Sequence, residues 1–190
     1  MARMEPTQSL ADHFLVAMPA LDDPNFQRSV TLVCQHDAGG AMGIVINRLA
    51  DYTLGELLDH LKLGTRDPAL AARAIVAGGP VHPDRGFVLH GDDSEWNSTL
   101  HVAPGLSVTT SRDILEAMSR GEGPARVLVA LGYAGWEAGQ LEDELAQNSW
   151  LTVPVDRGIV FDTPLAERWR AAARQLGVDL STLTDYSGHA

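Results

Sequence analysis

Seven histidines and one cysteine are the residues of this chain best suited to metal or nucleophilic chemistry. The histidines are His13, His36, His60, His82, His90, His101 and His189. Zinc sites use short ligand spacings such as C-x-x-C or H-x-x-x-H. Neither spacing occurs, and His82 and His90 could meet only through the fold. The histidines are therefore read as surface or hydrogen-bonded groups, with no metal and no cofactor. Cys34 lies in the apolar run VTLVCQ. A reactive thiolate needs a cationic, partly exposed setting. His36 is two residues on and would share its strand face, so a Cys/His pair is one option. A core cysteine is the preferred one. The serine-hydrolase signature G-x-S-x-G is absent, as are the P-loop G-x-x-x-x-G-K-[ST] and the dinucleotide signature G-x-G-x-x-G.

Two glycine-rich segments carry most of the remaining signal. Residues 132–144, GYAGWEAGQLEDE, follow an apolar run and are read as a turn at 132–135 and a helix from Trp136. Anions bind at helix N-termini, on free amides and the positive dipole end. Glu137 would occupy that first turn, and Glu142, Asp143 and Glu144 follow, so a phosphate there is repelled. The preferred reading is a turn packed tightly through Gly132, Gly135 and Gly139 and anchored by Trp136. A polar pocket built from Gln140, Glu144 and a neighbour is the alternative. The second segment, Gly78-Gly79-Pro80-Val81-His82-Pro83, makes a rigid turn that another backbone can approach closely. Rigid loops also present binding groups. The candidate ligand- or partner-binding residues are His36, Asn47, Gly79, Pro80, His90, Trp136, Gln140 and Glu144. No catalytic residue is assigned.

The elements that must position these residues follow from periodicity. Strands are expected at residues 13–18, 28–35, 41–48, 74–77, 85–90, 98–102, 106–109, 126–131, 150–155 and 159–161. The runs at 28–35 and 41–48, joined by a short glycine-containing loop, predict a hairpin. Residues 53–63 predict a helix with Thr53 and Glu56 in capping-box positions. Further helices are expected at 111–119, 136–147 and from Thr163 to about Gln175, with Pro164 at its first position. The order of elements predicts an α+β fold, or a mixed sheet with helices packed on it.

Length and charge set the outer limits. The chain has 190 residues, which suits one domain over 1–190 that buries about 70% of its unfolded surface. Residues 1–9 and 187–190 are expected to be loose tails. There are 14 Lys and Arg against 25 Asp and Glu, a formal net charge of -11. Nucleic-acid binding leans on cations that neutralise phosphates, so direct binding of DNA or RNA is disfavoured. Docking on anionic lipid is disfavoured for the same reason. Arg3, Arg28, Arg48 and the pair Arg168/Arg170 are too scattered in sequence to predict a basic patch. A single cysteine suits a reducing compartment. With no signal-peptide pattern and no stretch of 18 apolar residues, the expectation is a cytoplasmic protein away from membranes.

The same segments carry a family resemblance. They are Phe14-Leu15-Val16-Ala17 with residues 22–26, His36-Asp37, Gly40-Ala41-Met42-Gly43 and Asn47-Arg48. Next come Gly79-Pro80-Val81, then residues 85–90, 132–136, 139–142 and 148–151, and the closing Gly188-His189-Ala190. Collinear over nearly the whole chain, they resemble the AlgH/YqgE family of bacterial proteins. The resemblance implies a single cytoplasmic domain of coiled, bifurcated, mostly antiparallel or mixed sheets flanked by about four helices. It also brings a transcriptional-regulator label, and no catalytic residue or cofactor to carry over. No helix-turn-helix with a basic second helix is evident. The preferred function is a non-enzymatic regulatory or binding module acting through a protein partner or small ligand, as a monomer or weak dimer. An enzyme with an unrecognised polar site is the alternative, and direct DNA binding the second alternative.

Overall fold

The β-branched runs pair into one forked sheet. The computed structural model describes residues 8–180 and residue 182. The closing Gly188-His189-Ala190, most of the N-terminal tail and the tail from 187 lie outside the described residues. His13–Ala17 is β1, Val30–Asp37 is β2 and Gly40–Val45 is β3. β2 and β3 form the expected hairpin across Ala38 and Gly39. Leu49–Thr53 is β4, a strand that the sequence reading missed. It is mostly exposed, with Leu49 and Tyr52 facing out, so its apolar pattern is weak. Ala74–Ala77 is β5, Val81–His90 is β6, Thr99–Ala103 is β7 and Leu106–Thr109 is β8. Val127–Glu137 is β9 and Trp150–Pro154 is β10.

The strand order is β10-β1-β2-β3-β9-β6-β8-β7, with β4 and β5 as a side branch. β9 is the stem of the fork. Its first half runs antiparallel to β6, from Val127 opposite His90 to Leu131 opposite Gly86. On its other edge the same half pairs in parallel with β5, through Ala130 and Leu131. Its second half, Ala134–Glu137 by register, pairs with β3 instead. Every pairing except β5 with β9 is antiparallel.

The structure departs from the sequence expectation at three places. Residues 132–135 are not a turn and Trp136 does not open a helix, because pairing with β3 carries β9 on to Glu137. Tertiary pairing overrides a glycine-rich local sequence. The helix starts at Gln140 and runs Gln140–Ala146. Residues 159–161 are helical rather than extended. Asp156 accepts from the Gly158 amide, and Arg157–Phe161 coils so that Ile159 and Val160 enter the core. The last helix is not capped by Thr163. A 3-10 turn at Leu165–Glu167 precedes the helix Arg168–Arg174, and the Thr163 hydroxyl donates to Gly158 O.

The helices are α1 (Leu54–His60), α2 (Pro68–Ala71), α3 (Arg112–Ser119), α4 (Gln140–Ala146), α5 (Arg157–Phe161) and α6 (Arg168–Arg174). Thr53 caps α1 by accepting from the Glu56 amide, as its capping-box spacing suggests. α1 and α3 cover one core, built on Leu54, Leu58, Ile114 and Val129. α5 and α6 cover the largest one, with Phe14, Leu32, Phe87 and Trp169. α4 covers a third, around Val33, Trp136 and Trp150. Among the described residues no helix is long and apolar enough to cross a membrane.

The fork depends on glycine. Gly78 donates to Leu131 O at 2.7 Å and accepts from Val45 N at 2.8 Å, so it is stitched between β9 and β3. A Cβ on Gly78 would stand 2.3 Å from Gly132 O, and one on Gly79 2.2 Å from Tyr133 C and O. Neither backbone can retreat without breaking sheet hydrogen bonds. Gly78→Ala is expected to destabilise by about 3 kcal/mol, a fall in Tm of roughly 6–12 °C. Gly86→Ala, which meets nothing within 4 Å, is expected to stay within about 0.5 kcal/mol of the parent. Thermal unfolding of the two variants checks the contrast.

Candidate functional site

Four of the candidate residues meet around α4. His36 is buried, and its Nδ1 accepts from the Leu10 amide at 2.9 Å. Its Nε2 therefore carries the proton and donates to Glu142 Oε1 at 2.6 Å. Gln140 Oε1 accepts from the Glu137 amide at 2.9 Å. Glu144 Oε1 accepts from two indoles, Trp136 Nε1 at 3.2 Å and Trp150 Nε1 at 3.0 Å. Phe26 packs on both rings, with centroids 5.9 and 5.6 Å away. Glu142 is held below the usual carboxylate pKa by its own backbone amide and by His36. These side chains clasp a seven-residue helix to the ends of β2, β9 and β10.

The other four lie elsewhere. Gly79 is half-buried at the fork and Pro80 is exposed beside it. Asn47 bridges a bend, accepting from Val30 N at 2.8 Å and donating to Arg28 O at 2.8 Å. His90 is fully buried and sits in a chain of polar groups. Its Nδ1 lies 2.8 Å from Asp92 Oδ1 and its Nε2 2.8 Å from Thr109 Oγ1. Thr109 Oγ1 is in turn 2.8 Å from Thr99 Oγ1. The carboxylate only accepts, so with a neutral ring Nδ1 donates and Nε2 accepts. The chain then runs Thr99 to Thr109 to His90 to Asp92. Burial acts to raise the Asp92 pKa, but hydrogen bonds from Ser94 and His90 outweigh it and hold the group below its usual range.

Cys34 and His36 do not share a face. The β2–β3 register slips between Val33 and Gln35, which makes Cys34 the extra residue of a bulge. Cys34 joins the largest core and His36 points to α4. The Cys34 thiol donates to Leu32 O, and burial pushes its pKa up to about 12. Among the described residues no group of three or more His, Cys, Asp or Glu could hold a metal ion.

A groove of about 520 Å³ opens between β2–β3 and β6–β8–β7. Met42, Phe87, Leu100 and Val108 are its apolar lining, with Cys34 beside them. Gln35, Arg85, Thr99 and Tyr133 supply polar groups. Arg85 stacks over Phe87, 5.5 Å from the ring centroid. None of the eight candidate residues lines this groove. Most of its residues come from six strands, and local traces are limited to pairs at strand spacing such as Arg85 with Phe87 and Val108 with Thr110.

The AlgH-like family profile matches residues 14–181. The chain belongs to the AlgH-like family. A UPF0301 protein of Stenotrophomonas maltophilia is 61% identical over 181 residues, 95% of this chain and 96% of that protein. One from Xanthomonas campestris is 58% identical over the same shares. The solution structure of the AlgH protein from Pseudomonas aeruginosa aligns with a TM-score of 0.79 at 50% identity, covering all of both chains. A Corynebacterium diphtheriae protein, DIP2367, shares the fold with a TM-score of 0.73 at 19% identity, over 95% of this chain and 94% of that one. In this AlgH-like chain the GYAGW segment is the far half of β9, and GQLE is the start of the clasped helix.

Two measurements test these networks. Glu144→Ala leaves both indole N–H groups without their acceptor and is expected to cost about 2 kcal/mol, whereas Glu144→Gln keeps an Oε1 that accepts from both, loses only the charge, and is expected to cost about half as much. Denaturant titration separates them. A lowered carboxylate pKa adds stability above the unfolded value of about 3.9, and that stability is lost as pH falls through the folded value. Asp92→Asn is therefore expected to be less stable than the parent at pH 7, with the gap narrowing below about pH 4. Unfolding curves across that range check the sign.

Proposed function

We propose that this AlgH-like protein is a non-catalytic binding module of the cytoplasm that holds a small ligand in the groove between the arms of its sheet and acts as a regulator through it. One contrast carries the reading. Cys34, His36 and His90, the buried side chains suited to nucleophilic or acid–base work, are already engaged inside the fold, while the groove keeps a cation and amphipathic walls open to a ligand. Cys34 is buried with its pKa pushed up to about 12. His36 and His90 have both ring nitrogens hydrogen-bonded. The groove has the size and the mixed lining typical of ligand sites. The test is native mass spectrometry of freshly purified protein against its denatured mass. A retained small mass that is absent from Leu100→Trp, which fills the groove, is the expected result. A bare mass in both proteins removes the groove reading.

The polar chain at His90 favours an enzyme as second reading. Its hydrogen-bond polarity is that of an acid–base relay, and it reaches the groove at Thr99. An acyl-transfer enzyme would use that hydroxyl. Turnover of small esters, abolished in Thr99→Val with the fold intact, would replace the binding reading with this one.

A further inference from the structure

Arginines far apart in sequence meet at a second pocket. Arg28, Arg48 and Arg170 line a cavity of about 450 Å³ together with Ser29, Asn47 and Trp169. Among the described residues no Asp or Glu lines it, in a chain with 25 acids and 14 bases. Arginine ion pairs among the described residues use Arg112, Arg120 and Arg126 instead. Arg48 donates to the carbonyls of Pro24, Asn25 and Gln27. These neutral acceptors orient the guanidinium and leave its charge uncompensated. Arg28 lies over the Trp169 ring, 5.7 Å from the centroid. Its backbone has a φ of 56°, and Asn47 holds its carbonyl there.

Ser29 points the same way. It is 1% exposed, lines the same pocket, and among the described residues its hydroxyl has no hydrogen-bond partner. An unsatisfied buried hydroxyl costs about 1–3 kcal/mol. Native folds keep few of them, and those kept call for a partner from outside the chain or a functional reason.

We propose that this pocket binds a small phosphate-bearing molecule, with Arg28, Arg48 and Arg170 around the phosphate and the Ser29 hydroxyl as a further donor. Three cations without a carboxylate match a dianion better than a monoanion. A phosphate carries close to two charges at neutral pH and accepts guanidinium forks in pairs. The cavity is larger than a bare phosphate needs, and Leu49, Leu165 and Trp169 offer an apolar wall for the rest of the molecule. The pocket and the groove share no lining residue, so the two sites stand or fall separately.

The test is calorimetric titration of the whole protein with inorganic pyrophosphate, backed by thermal shift, with acetate at equal ionic strength as control. Expected are one site per chain, a raised Tm with pyrophosphate alone, and roughly tenfold weaker binding in each of Arg28→Gln and Arg170→Gln. Ser29→Ala is expected to weaken binding while folding at least as stably as the parent, because it removes an unsatisfied buried group. Leu100→Trp is expected to bind pyrophosphate unchanged. The proposal is overturned if pyrophosphate fails to bind the parent, or binds Arg28→Gln/Arg170→Gln undiminished. A single-stranded oligonucleotide that binds and is not displaced by pyrophosphate would also overturn it, in favour of nucleic acid.

Discussion

A Cβ on Gly78 would stand 2.3 Å from the carbonyl of Gly132, and one on Gly79 would press as hard on Tyr133. At this contact β9 exchanges β5 for β3, and the sheet divides. Without it β3 could not leave the stem at that angle, since Val45 is tied to Gly78 and Gly78 to Leu131. The three cores lie in the spaces that the fork opens, and each is closed by its own helices. The groove is the space left between the arms. A constraint on a few glycines thus sets where the groove lies.

The polar groups divide into two populations. Many carboxylates are internal acceptors: Glu144 for two indoles, Glu142 for His36, Asp92 for His90 and Asp156 for the start of α5. Buried polar groups must be paired to be tolerated, and these pairs leave the histidines of the core fully engaged. Among the described residues the second population has no such partners. Arg85 over Phe87, and Arg28 over Trp169, rest on aromatic faces rather than on carboxylates. In a chain with net charge -11, unpaired cations at concave places are where anions are drawn.

Much of the sheet was legible because β-branched runs such as RSVTLVCQ and RVLVAL have few other ways to bury themselves. The β2–β3 hairpin followed from two such runs and a glycine between them. β9 was cut short at Leu131, because Gly132 and Gly135 look like a turn until β3 arrives to pair with them. Residues 159–161 looked like a strand by composition, yet the Asp156 cap and the demand of the core for Ile159 and Val160 made a helix. The motif-dense residues His36, Trp136, Gln140 and Glu144 were brought together, as a clasp for α4. The groove was not legible, because Gln35, Arg85, Thr99 and Tyr133 come from four different strands.

By itself the sequence determined the class of fold and the family, since periodicity, capping and collinear motifs are local properties of the chain. It also determined the acidic balance, which is a sum and needs no geometry. The tertiary structure alone decided which cations stay unpaired. Arg28, Arg48 and Arg170 look scattered along the chain, and only the packing of α6 against the bend before β2 sets them around Ser29. Charge adds up along a sequence, but electrostatic potential depends on distance, and distance is set by the fold.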